Sequence, residues 1–208
     1  MSSKGNLIVL SAASGSGKTS LTARLLKEMP SLEFSVSHTT RAPRKGEKHG
    51  ADYFFVSEAE FELMIEKGAF LEYAHVYGNY YGTSHDFVAA QIEAGKDVLL
   101  DIDVQGAMKV KKAWPDAILI FVFAPSFEAL RERLIKRGLD DPEVIARRLR
   151  IARDEIRCYD EYDYVVVNDD LKSALLELKS IVFAARCTVK KRKDRAEQIV
   201  KDFLKEEH

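Results

Sequence analysis

The stretch "IVLSAASGSGKTSL" (Ile8–Leu21) carries the strongest signal for the fold. It matches the end of the phosphate-binding pattern G-x-x-x-x-G-K-[ST], but Ala12 stands where that pattern has its first glycine. The apolar run Leu7–Ala12 predicts a strand buried on both faces of a parallel sheet. From Lys18 to Met29, apolar residues recur at helical spacing. The flanks therefore predict the strand, loop and helix that a phosphate loop requires.

A phosphate loop curls backbone N–H groups around phosphate oxygens in front of a helix N-terminus. Gly15 and Gly17 allow the tightest curl, Lys18 is placed to span two phosphates, and the Thr19 hydroxyl is placed to bind Mg²⁺. Ala12 lies at the strand exit, where a methyl group costs little if φ is negative. The alternative is a flexible glycine-serine turn between a strand and a helix. The residues predicted to bind the polyphosphate are Ala12, Ala13, Ser14, Gly15, Ser16, Gly17, Lys18, Thr19 and Ser20.

The bulk properties favour a soluble globular protein. A chain of 208 residues that is 46% hydrophobic is long enough to bury a full core. Its net charge of -1 lacks the basic excess that nucleic acid or an anionic membrane would attract, and no apolar run is long enough for a signal core or a membrane span. Cys158 and Cys187 lack metal-ligand spacing and fit reduced packing residues. We therefore predict a cytoplasmic protein without nucleic-acid or membrane partners.

Further apolar runs predict more core strands, at Asp97–Asp103, Ala117–Ala124 and Tyr162–Asn168, and each is followed by a helical pattern. This alternation predicts a parallel sheet flanked by helices, which is the α/β class. Residues 34–94 differ, because they are aromatic and polar with glycine interruptions, as in short strands and turns. Within them, Ser57 and Glu60 form a capping box before a short helix. We interpret this segment as an inserted mixed α/β subdomain.

Two arginine-rich helices joined by the turn "GLDD" follow Pro125. The second helix is predicted to begin with Asp141 as N-cap and Pro142 at its first position. Two such helices on a turn can fold down as a lid. The predicted division is a core of residues 5–33, 95–125 and 160–186, the inserted subdomain 34–94, a lid 126–159 and a C-terminal helical extension 187–208.

A second group of phosphate-binding residue types lies in "SVSHTTRAPRKGEKHGADYFF" (Ser35–Phe55). Arg41 and Arg44 flank Pro43, which stiffens the backbone, and Tyr53 follows nine residues after Arg44. Paired guanidinium groups with a phenol suit a phosphate monoester, because their forked donors match its oxygens. Taken alone, a solvated basic loop is the simpler interpretation. Because the same chain contains a phosphate loop, we favour the interpretation of Arg41, Arg44 and Tyr53 as a clamp for a phosphate monoester.

The order of short motifs along the chain resembles the guanylate kinase family. The motifs are AASGSGKT, SVSHTTRAPR, G-x-DY, FLEYA, NYYGTS, LLDIDVQG, RL-x-x-RG, RRL and VNDD, and the resemblance covers residues 5–186. The family loop often has alanine at the position of Ala12, whereas Ala13 stands where proline is commoner. The resemblance implies a bacterial-type P-loop nucleoside monophosphate kinase with a parallel core, a GMP-binding insertion and a helical lid. The implied activity is ATP-dependent phosphorylation of GMP, and of dGMP, in purine nucleotide metabolism.

The resemblance also implies site residues by position. The acceptor phosphate is held at the positions of Arg41, Arg44, Tyr53 and Tyr81. Guanine is read at the positions of Ser37, Glu72, Thr83 and Asp103. The lid arginines correspond to Arg133, Arg137 and Arg148, and Asn168 lies near the adenine of ATP. Thr83 stands where the family often has serine, so the hydroxyl is kept.

The chemistry of guanine calls for carboxylates at such positions. The base presents two donors side by side, N1–H and the 2-amino group, which one carboxylate accepts together. Adenine presents an acceptor at N1, so a carboxylate placed there stays buried and unpaired. Glu72 and Asp103 supply this selectivity. The residues alone leave a second interpretation of Glu72 open, as an exposed strand carboxylate.

Phosphoryl transfer between two polyanions requires positive charge at the transferring group and no covalent intermediate. The residues predicted to supply that charge are Lys18, Arg44, Arg137 and Arg148, together with Mg²⁺ bound with ATP. Arg137 and Arg148 converge only when the lid folds down, which also excludes water. Asp101 is predicted to support the magnesium shell beside Thr19. It should share one face of a regular strand with Asp103, two residues later.

The tail Thr188–His208 contains a basic run followed by Ile199, Val200, Phe203 and Leu204. The pattern favours a last helix with one apolar stripe over a nucleic-acid-binding arm. That stripe packs on the core or on a second subunit, so homo-oligomerisation stays open.

The sequence leaves two alternatives to a GMP kinase. A non-catalytic guanylate-kinase-like peptide-binding module is disfavoured by the intact loop, and a P-loop kinase for another acceptor is disfavoured by the two guanine carboxylates.

Overall fold

A computed structural model describes residues 4–76, 78–136, 138 and 141–205. Its strands are β1 (Leu7–Ala12), β2 (Leu32–Phe34), β3 (His38–Thr39), β4 (Phe54–Phe55), β5 (Phe70–Val76), β6 (Asn79–Ser84), β7 (Asp97–Asp101), β8 (Ile118–Phe123) and β9 (Tyr164–Val167). Its helices are α1 (Lys18–Glu28), α2 (Glu58–Glu66), α3 (His85–Glu93), α4 (Val104–Ala113), α5 (Phe127–Lys136), α6 (Pro142–Glu155), α7 (Leu171–Arg186) and α8 (Val189–Lys205). A short 3₁₀ helix, Ile156–Glu161, follows α6.

The core is a five-stranded sheet in the order β2-β7-β1-β8-β9, and its paired strands run parallel. The residues of β1 alternate between two apolar layers because successive side chains of a strand point to opposite faces. Ile8 and Leu10 pack with α1 and α7, whereas Leu7 and Val9 pack with α3 and α4. The predicted α/β class with a parallel core is therefore confirmed.

The inserted segment forms a second, four-stranded sheet in the order β4-β3-β6-β5. Strand β6 pairs antiparallel with β3 and β5, while β3 and β4 are parallel. Phe61 of α2 is fully buried and stacks on Phe70 and Tyr80, with ring centroids 4.5 and 5.1 Å away. Helix α3 leads back to the core, where Val88 and Ile92 are buried. The aromatic residues of the insertion thus form a small layer of their own beside the main sheet.

Most predicted elements appear close to their predicted bounds. The strand β1 and the capping box of Ser57 and Glu60 are confirmed. Asp141 is the N-cap of α6 with Pro142 at the first position, although the Asp141 side chain makes no cap bond. The strand predicted over 97–103 is too long, because it ends at Asp101 and Asp103 already caps α4 by accepting from the Gly106 N–H at 2.7 Å. Asp101 and Asp103 therefore do not share a regular pleat.

The lid segment holds α5 and α6, and the predicted lid residue Arg137 lies outside the described residues. The tail forms α8, which buries none of its described residues. Its apolar residues Ile199, Val200 and Phe203 are 48%, 54% and 75% exposed, so they do not pack on the core. Homo-oligomerisation through this stripe stays a prediction. Over the described ranges, no helix has the length and apolarity that crossing a membrane would require.

Candidate active site

The loop after β1 has the backbone that its glycines predict. Gly15 and Gly17 have φ of +97° and +91°, a region that side chains other than glycine rarely adopt. Gly17 is the N-cap of α1, and a Cβ there would lie 2.3 Å from Nδ2 of Asn168. Ala12 is the last residue of β1, so extended backbone accommodates its methyl group. The departure from the glycine pattern therefore leaves the loop intact.

Lys18 is held at the sheet edge by two acceptors. Its Nζ lies 2.6 Å from Oδ1 of Asp101 and donates to the Ile102 carbonyl at 2.8 Å. The other Asp101 oxygen accepts from the Thr22 hydroxyl at 3.0 Å. Both members of the ion pair are about four-fifths buried, with exposed side-chain fractions of 20% and 18%. The ammonium group is therefore fixed between the loop and the end of β7.

Two side chains from other parts of the chain donate hydrogen bonds to the backbone of the loop. The Ser16 carbonyl accepts from Nδ2 of Asn168 at 2.7 Å and from the Arg133 guanidinium at 3.2 Å. Arg133 also donates to the Asn168 carbonyl at 2.9 Å. Residues 16, 133 and 168 form a closed network although Ser16 is more than a hundred positions away from the other two. In this structure Arg133 and Asn168 contact the loop backbone, and their contacts with ATP stay predictions.

A cleft of about 640 Å³ opens over the loop. It is lined by Ala12, Ala13, Ser14, Gly15, Gly17, Lys18, Thr19, Ser20, Asp103, Arg133, Lys136, Glu155, Asn168, Asp169 and Leu171. The structure thus brings together nearly all of the residues predicted to bind ATP. Ser16 is buried beneath the cleft, and Arg148 of α6 is half-buried and absent from the cleft lining.

A second cleft, of about 270 Å³, lies between the two sheets. It is lined by Ser37, Tyr53, Glu72, Ala74, Tyr81, Asp101, Ile102 and Asp103. Thr83 lies directly behind this lining, since its hydroxyl donates to Oε1 of Glu72 at 2.7 Å. The predicted guanine readers therefore surround one cavity, and Asp103 lines both clefts.

Glu72 is a buried carboxyl, with 8% of its surface exposed. Burial raises its pKa, while the hydrogen bond from Thr83 opposes that rise and the nearby Asp103 charge adds to it. A Cβ on Gly106 would lie 3.4 Å from oxygens of both carboxylates, which shows how closely Glu72 and Asp103 approach each other. The interpretation of Glu72 as an exposed strand carboxylate is wrong. Two acceptor groups at one end of this cleft fit a base that presents adjacent N–H donors.

Of the predicted phosphate clamp, Tyr53 and Tyr81 line the second cleft, whereas Arg41 and Arg44 are not part of its lining. The Arg41 guanidinium pairs with Glu47 at 2.9 Å and lies over the Tyr53 ring at 5.3 Å. The hydrogen bond that the Arg41 guanidinium donates to Glu47 raises the pKa of Arg41, and the Tyr81 hydroxyl contributes to the same rise. Arg44 is exposed, and its backbone N–H also donates to Glu47. The interpretation as a simple solvated loop does not fit Arg41, whose side chain is only 14% exposed.

Oxygen donors suitable for Mg²⁺ are present at the loop cleft, where the Thr19 hydroxyl is exposed. Asp101 offers a carboxylate nearby, but Lys18 and Thr22 engage both of its oxygens. No cluster of three potential His, Cys, Asp or Glu ligands occurs within the ranges given above. This donor set fits Mg²⁺ held mainly by substrate phosphates, with one or two protein oxygens.

Two site carboxylates were not predicted from the sequence. Glu47 holds the Arg41 clamp, and its only sequence signal is an acidic residue within a basic loop. Glu155 lines the loop cleft from the last turn of α6, where the sequence pattern shows only a charged helix end. Glu155 reaches the loop cleft through the packing of distant elements, which spacing along the chain does not encode, whereas Glu47 meets Arg41 and Arg44 within one loop.

A parallel sheet with a phosphate loop after β1, a lysine at the sheet edge and a carboxylate-lined acceptor cleft defines the class of P-loop phosphotransferases. Comparison with known proteins narrows the class. A family model described as guanylate kinase matches residues 4–185. A guanylate kinase of Coxiella burnetii is 50% identical over 183 residues, which cover 88% of this chain and 89% of that protein. A guanylate kinase of Neisseria meningitidis serogroup A is 56% identical over 183 residues, with the same coverage of 88% and 89%.

A crystal structure of guanylate kinase from Anaplasma phagocytophilum has the same fold. It superposes with a TM-score of 0.72 at 34% identity and covers 91% of this chain and 90% of that one. The chain therefore belongs to the guanylate kinase family, and it is a nucleoside monophosphate kinase.

Proposed function

We propose that this protein transfers the γ-phosphoryl group of ATP to GMP, and to dGMP, in cytoplasmic purine nucleotide metabolism. The observation that carries the proposal is the meeting of the two clefts. Asp103 lines both of them, and Lys18 of the phosphate loop is paired with Asp101 in the wall of the acceptor cleft. A donor phosphate on the loop and an acceptor phosphate in front of the carboxylate cleft would therefore be neighbours. Direct transfer needs that proximity.

In the proposed reaction, a phosphate oxygen of GMP attacks the γ-phosphorus in line. The bond from the γ-phosphorus to the β,γ-bridging oxygen breaks, and ADP and GDP leave. Thr19 and Asp101 would hold the Mg²⁺ that accompanies ATP, and the ion would neutralise charge on the phosphates. Lys18, Arg44, Arg137 and Arg148 supply the protein's share of positive charge. The backbone N–H groups of the loop hold the donor phosphates in place without reorganising during the reaction.

Guanine selection is proposed to come from Glu72 and Asp103, with Ser37 and Thr83 as hydroxyl partners. The Thr83 hydroxyl already donates to Glu72, so the carboxylate is held in one orientation with its second oxygen near Asp103. Arg41, Arg44, Tyr53 and Tyr81 are proposed to hold the GMP phosphate. Because Glu47 pairs with Arg41 in this structure, GMP phosphate would have to share or replace that partner.

The test is an ADP-release assay with ATP, Mg²⁺ and each nucleoside monophosphate in turn. We expect turnover with GMP and dGMP, weaker turnover with IMP, which lacks the 2-amino donor, and little with AMP, CMP or UMP. Removal of Mg²⁺ with a chelator should abolish turnover. Binding of peptides without any phosphoryl transfer would favour the non-catalytic module, and turnover with another acceptor alone would contradict the assignment of the base pocket.

A further inference from the structure

Another cavity, here named the basal pocket, lies at the end of the core sheet opposite to the phosphate loop. Its volume is about 380 Å³. Its lining includes Gly5 and Asn6, which precede β1, and Asp97, the first residue of β7. A six-residue strand such as β1 spans about 20 Å. Within the described part of the chain, the basal pocket shares no lining residue with either cleft of the candidate active site.

The lining of the basal pocket is rich in cationic side chains. They come from the segment before β1, from the end of α7 and from the first turns of α8, and they are Lys4, Arg186, Lys191, Arg192 and Arg195. Asp97 and Asp194 are the carboxylates of the same lining, so over the described residues the cations exceed them by three. Like charges that converge on one cavity repel each other. An anion in the pocket would relieve that repulsion.

Two of the five cations already have carboxylate partners. Asp97 is 1% exposed, and its Oδ2 accepts from Nε of Arg186 at 2.5 Å. The other oxygen of Asp97 accepts from the backbone N–H of Asn6 at 2.7 Å and from Nδ2 of the same residue at 3.0 Å. Lys4 pairs with Glu93 at 2.5 Å. The contacts of Asp97 are therefore used within the wall of the pocket, and its charge is balanced there by Arg186.

The three cations of α8 are not balanced in this way. Nζ of Lys191 donates to the Gly5 carbonyl at 2.5 Å, and Nε of Arg192 donates to the Arg186 carbonyl at 3.3 Å. Both acceptors are neutral. Over the described ranges, neither these two side chains nor Arg195 forms a hydrogen bond or an ion pair with a carboxylate. The excess positive charge of the pocket therefore lies on α8.

The chemistry of these donors suits a phosphate group. Lys191 is less exposed than the two arginines, and burial lowers its pKa, although the charges of Asp97 and Asp116 oppose that fall. Its ammonium group has lost water without gaining a hydrogen-bonded carboxylate. Arg192 and Arg195 add forked donors, whose geometry matches phosphate oxygens. The three cations lie within two turns of one helix, so a single anion can contact them together.

We propose that the basal pocket binds a small phosphate-bearing anion, which balances the cations of α8 and joins this helix to the start of the core sheet. A cavity of about 380 Å³ has room for an anion such as pyrophosphate together with several waters, each of about 30 Å³. Helix α8 buries none of its described residues, and polar contacts of its first turn hold it to the body. The inference does not rest on the proposed function, because the pocket takes no part in phosphoryl transfer.

The test is a titration of the full chain with sodium pyrophosphate, followed by amide NMR at constant ionic strength without Mg²⁺. The amides of Gly5 and Gly95 report on the basal pocket, and those of Gly15 and Gly17 report on the phosphate loop. We expect saturable shifts at Gly5 and Gly95, with a Kd that differs from the Kd at the loop glycines. A second titration with ADP identifies the source. Shifts with both compounds assign the pocket to a diphosphate group carried by a nucleotide, and shifts with pyrophosphate alone assign it to a free anion.

Three single variants of α8 sharpen the test. Arg195→Gln removes a cation of the pocket and should raise the Kd measured at Gly5 by about fivefold or more. Asp194→Asn removes a carboxylate of the same lining and should lower that Kd by about twofold or more. Lys193→Gln is the matched control, because Lys193 is 69% exposed, lies 3.8 Å from Glu197 and is not part of the lining. The control should change the Kd less than about 1.5-fold, since exposed charges are screened. The Kd at the loop glycines should stay the same in all three variants.

Three results would overturn the proposal. If Gly5 and Gly95 showed no saturable shift up to about 10 mM pyrophosphate, the pocket would not be an anion site. If Lys193→Gln weakened binding as much as Arg195→Gln, the anion would respond to the general charge of α8 rather than to the pocket. If Asp194→Asn weakened binding, the anion would lie away from this lining.

Discussion

The two clefts of the active site are built by different means. The loop cleft comes largely from one segment, residues 12–20, of which all but Ser16 line the cleft and two are positive-φ glycines. The acceptor cleft takes its polar side chains from β5, β6, the end of β7 and the segments around β3 and β4. One cleft depends on local backbone shape, and the other depends on the docking of a second sheet against the first.

This difference has chemical consequences. Backbone N–H groups do not titrate and bind phosphate without regard to the base that carries it. The acceptor cleft presents the buried carboxylate of Glu72 and the exposed carboxylate of Asp103, and their hydrogen-bond geometry is proposed to select the base. Substitutions in the loop cleft should therefore affect the rate for every acceptor. Substitutions in the acceptor cleft should change which acceptor is used.

The largest effect is expected from Lys18→Met. The change removes a charge placed to stabilise the transferring phosphoryl group, so kcat should fall by about 10³-fold or more with every acceptor. The matched control is Lys27→Met, which removes an exposed lysine from the same helix. Circular dichroism and Tm establish that the fold survives. Near-normal turnover in Lys18→Met would rule out this loop as the donor site.

The next effect concerns Glu72→Gln, which is nearly isosteric but presents amide hydrogens where guanine also presents hydrogens. We expect kcat/KM for GMP to fall by about 10²-fold and the preference for GMP over AMP to narrow. Steady-state kinetics with GMP, IMP and AMP measure this, with Glu66→Gln on the exposed side of α2 as control. If the ratio of kcat/KM for GMP to kcat/KM for AMP did not change, Glu72 would not belong to the base pocket. Substitutions in the two clefts would then differ less in their effect on acceptor choice.

A smaller effect is expected from Asn168→Ala, which removes a buried brace of the loop. The lost hydrogen bond to the Ser16 carbonyl is worth about 1 kcal/mol, so kcat/KM for ATP should fall by about 5- to 10-fold with the KM for GMP unchanged. Glu177→Ala is the control, because Glu177 is an exposed residue of the following helix α7 and does not line the cleft. A loss confined to GMP binding would contradict the assignment of Asn168 to the loop.

A still smaller effect is expected in the free energy of unfolding, which should depend on pH differently in the wild type and in Glu72→Gln. Burial raises the folded-state pKa of Glu72 above its ordinary value of 4.5. Between these two pKa values the folded protein binds more protons than the unfolded chain does. The free energy of unfolding of the wild type therefore falls as pH rises from about 4.5 through the raised pKa. Glu72→Gln carries no such penalty. Its advantage in free energy of unfolding should grow over this window and stay constant above it, at about 1–3 kcal/mol. Urea titrations at several pH values measure the gap, and a gap that shrinks as pH rises would contradict the raised pKa.

The smallest effect is expected from Glu47→Ala at the rim of the acceptor cleft. The Arg41–Glu47 ion pair forms within one loop, and the anionic phosphate of GMP can replace Glu47 as the partner of Arg41. Freeing Arg41 should therefore change the KM for GMP by less than about threefold, and the KM for ATP not at all. Glu58→Ala, an exposed acidic residue of α2, is the control. A tenfold rise in the KM for GMP would show that Glu47 orients the clamp rather than only neutralising it.

The sequence by itself determined the core strand, the phosphate loop and its helix, because hydrophobic periodicity and glycine positions act over a few residues. It also determined the order of motifs from which the guanine readers were assigned. It misjudged the end of β7, because capping of α4 by Asp103 competes with strand extension after Asp101.

Only the tertiary structure decided how distant side chains meet. It buried Glu72 beside Asp103, joined Asn168 and Arg133 to Ser16, and placed Glu155 in the lining of the loop cleft. These contacts depend on the docking of the second sheet and of helices α5 and α6 onto the core. Docking is set by packing between elements far apart in the chain, and no local pattern of residues records it.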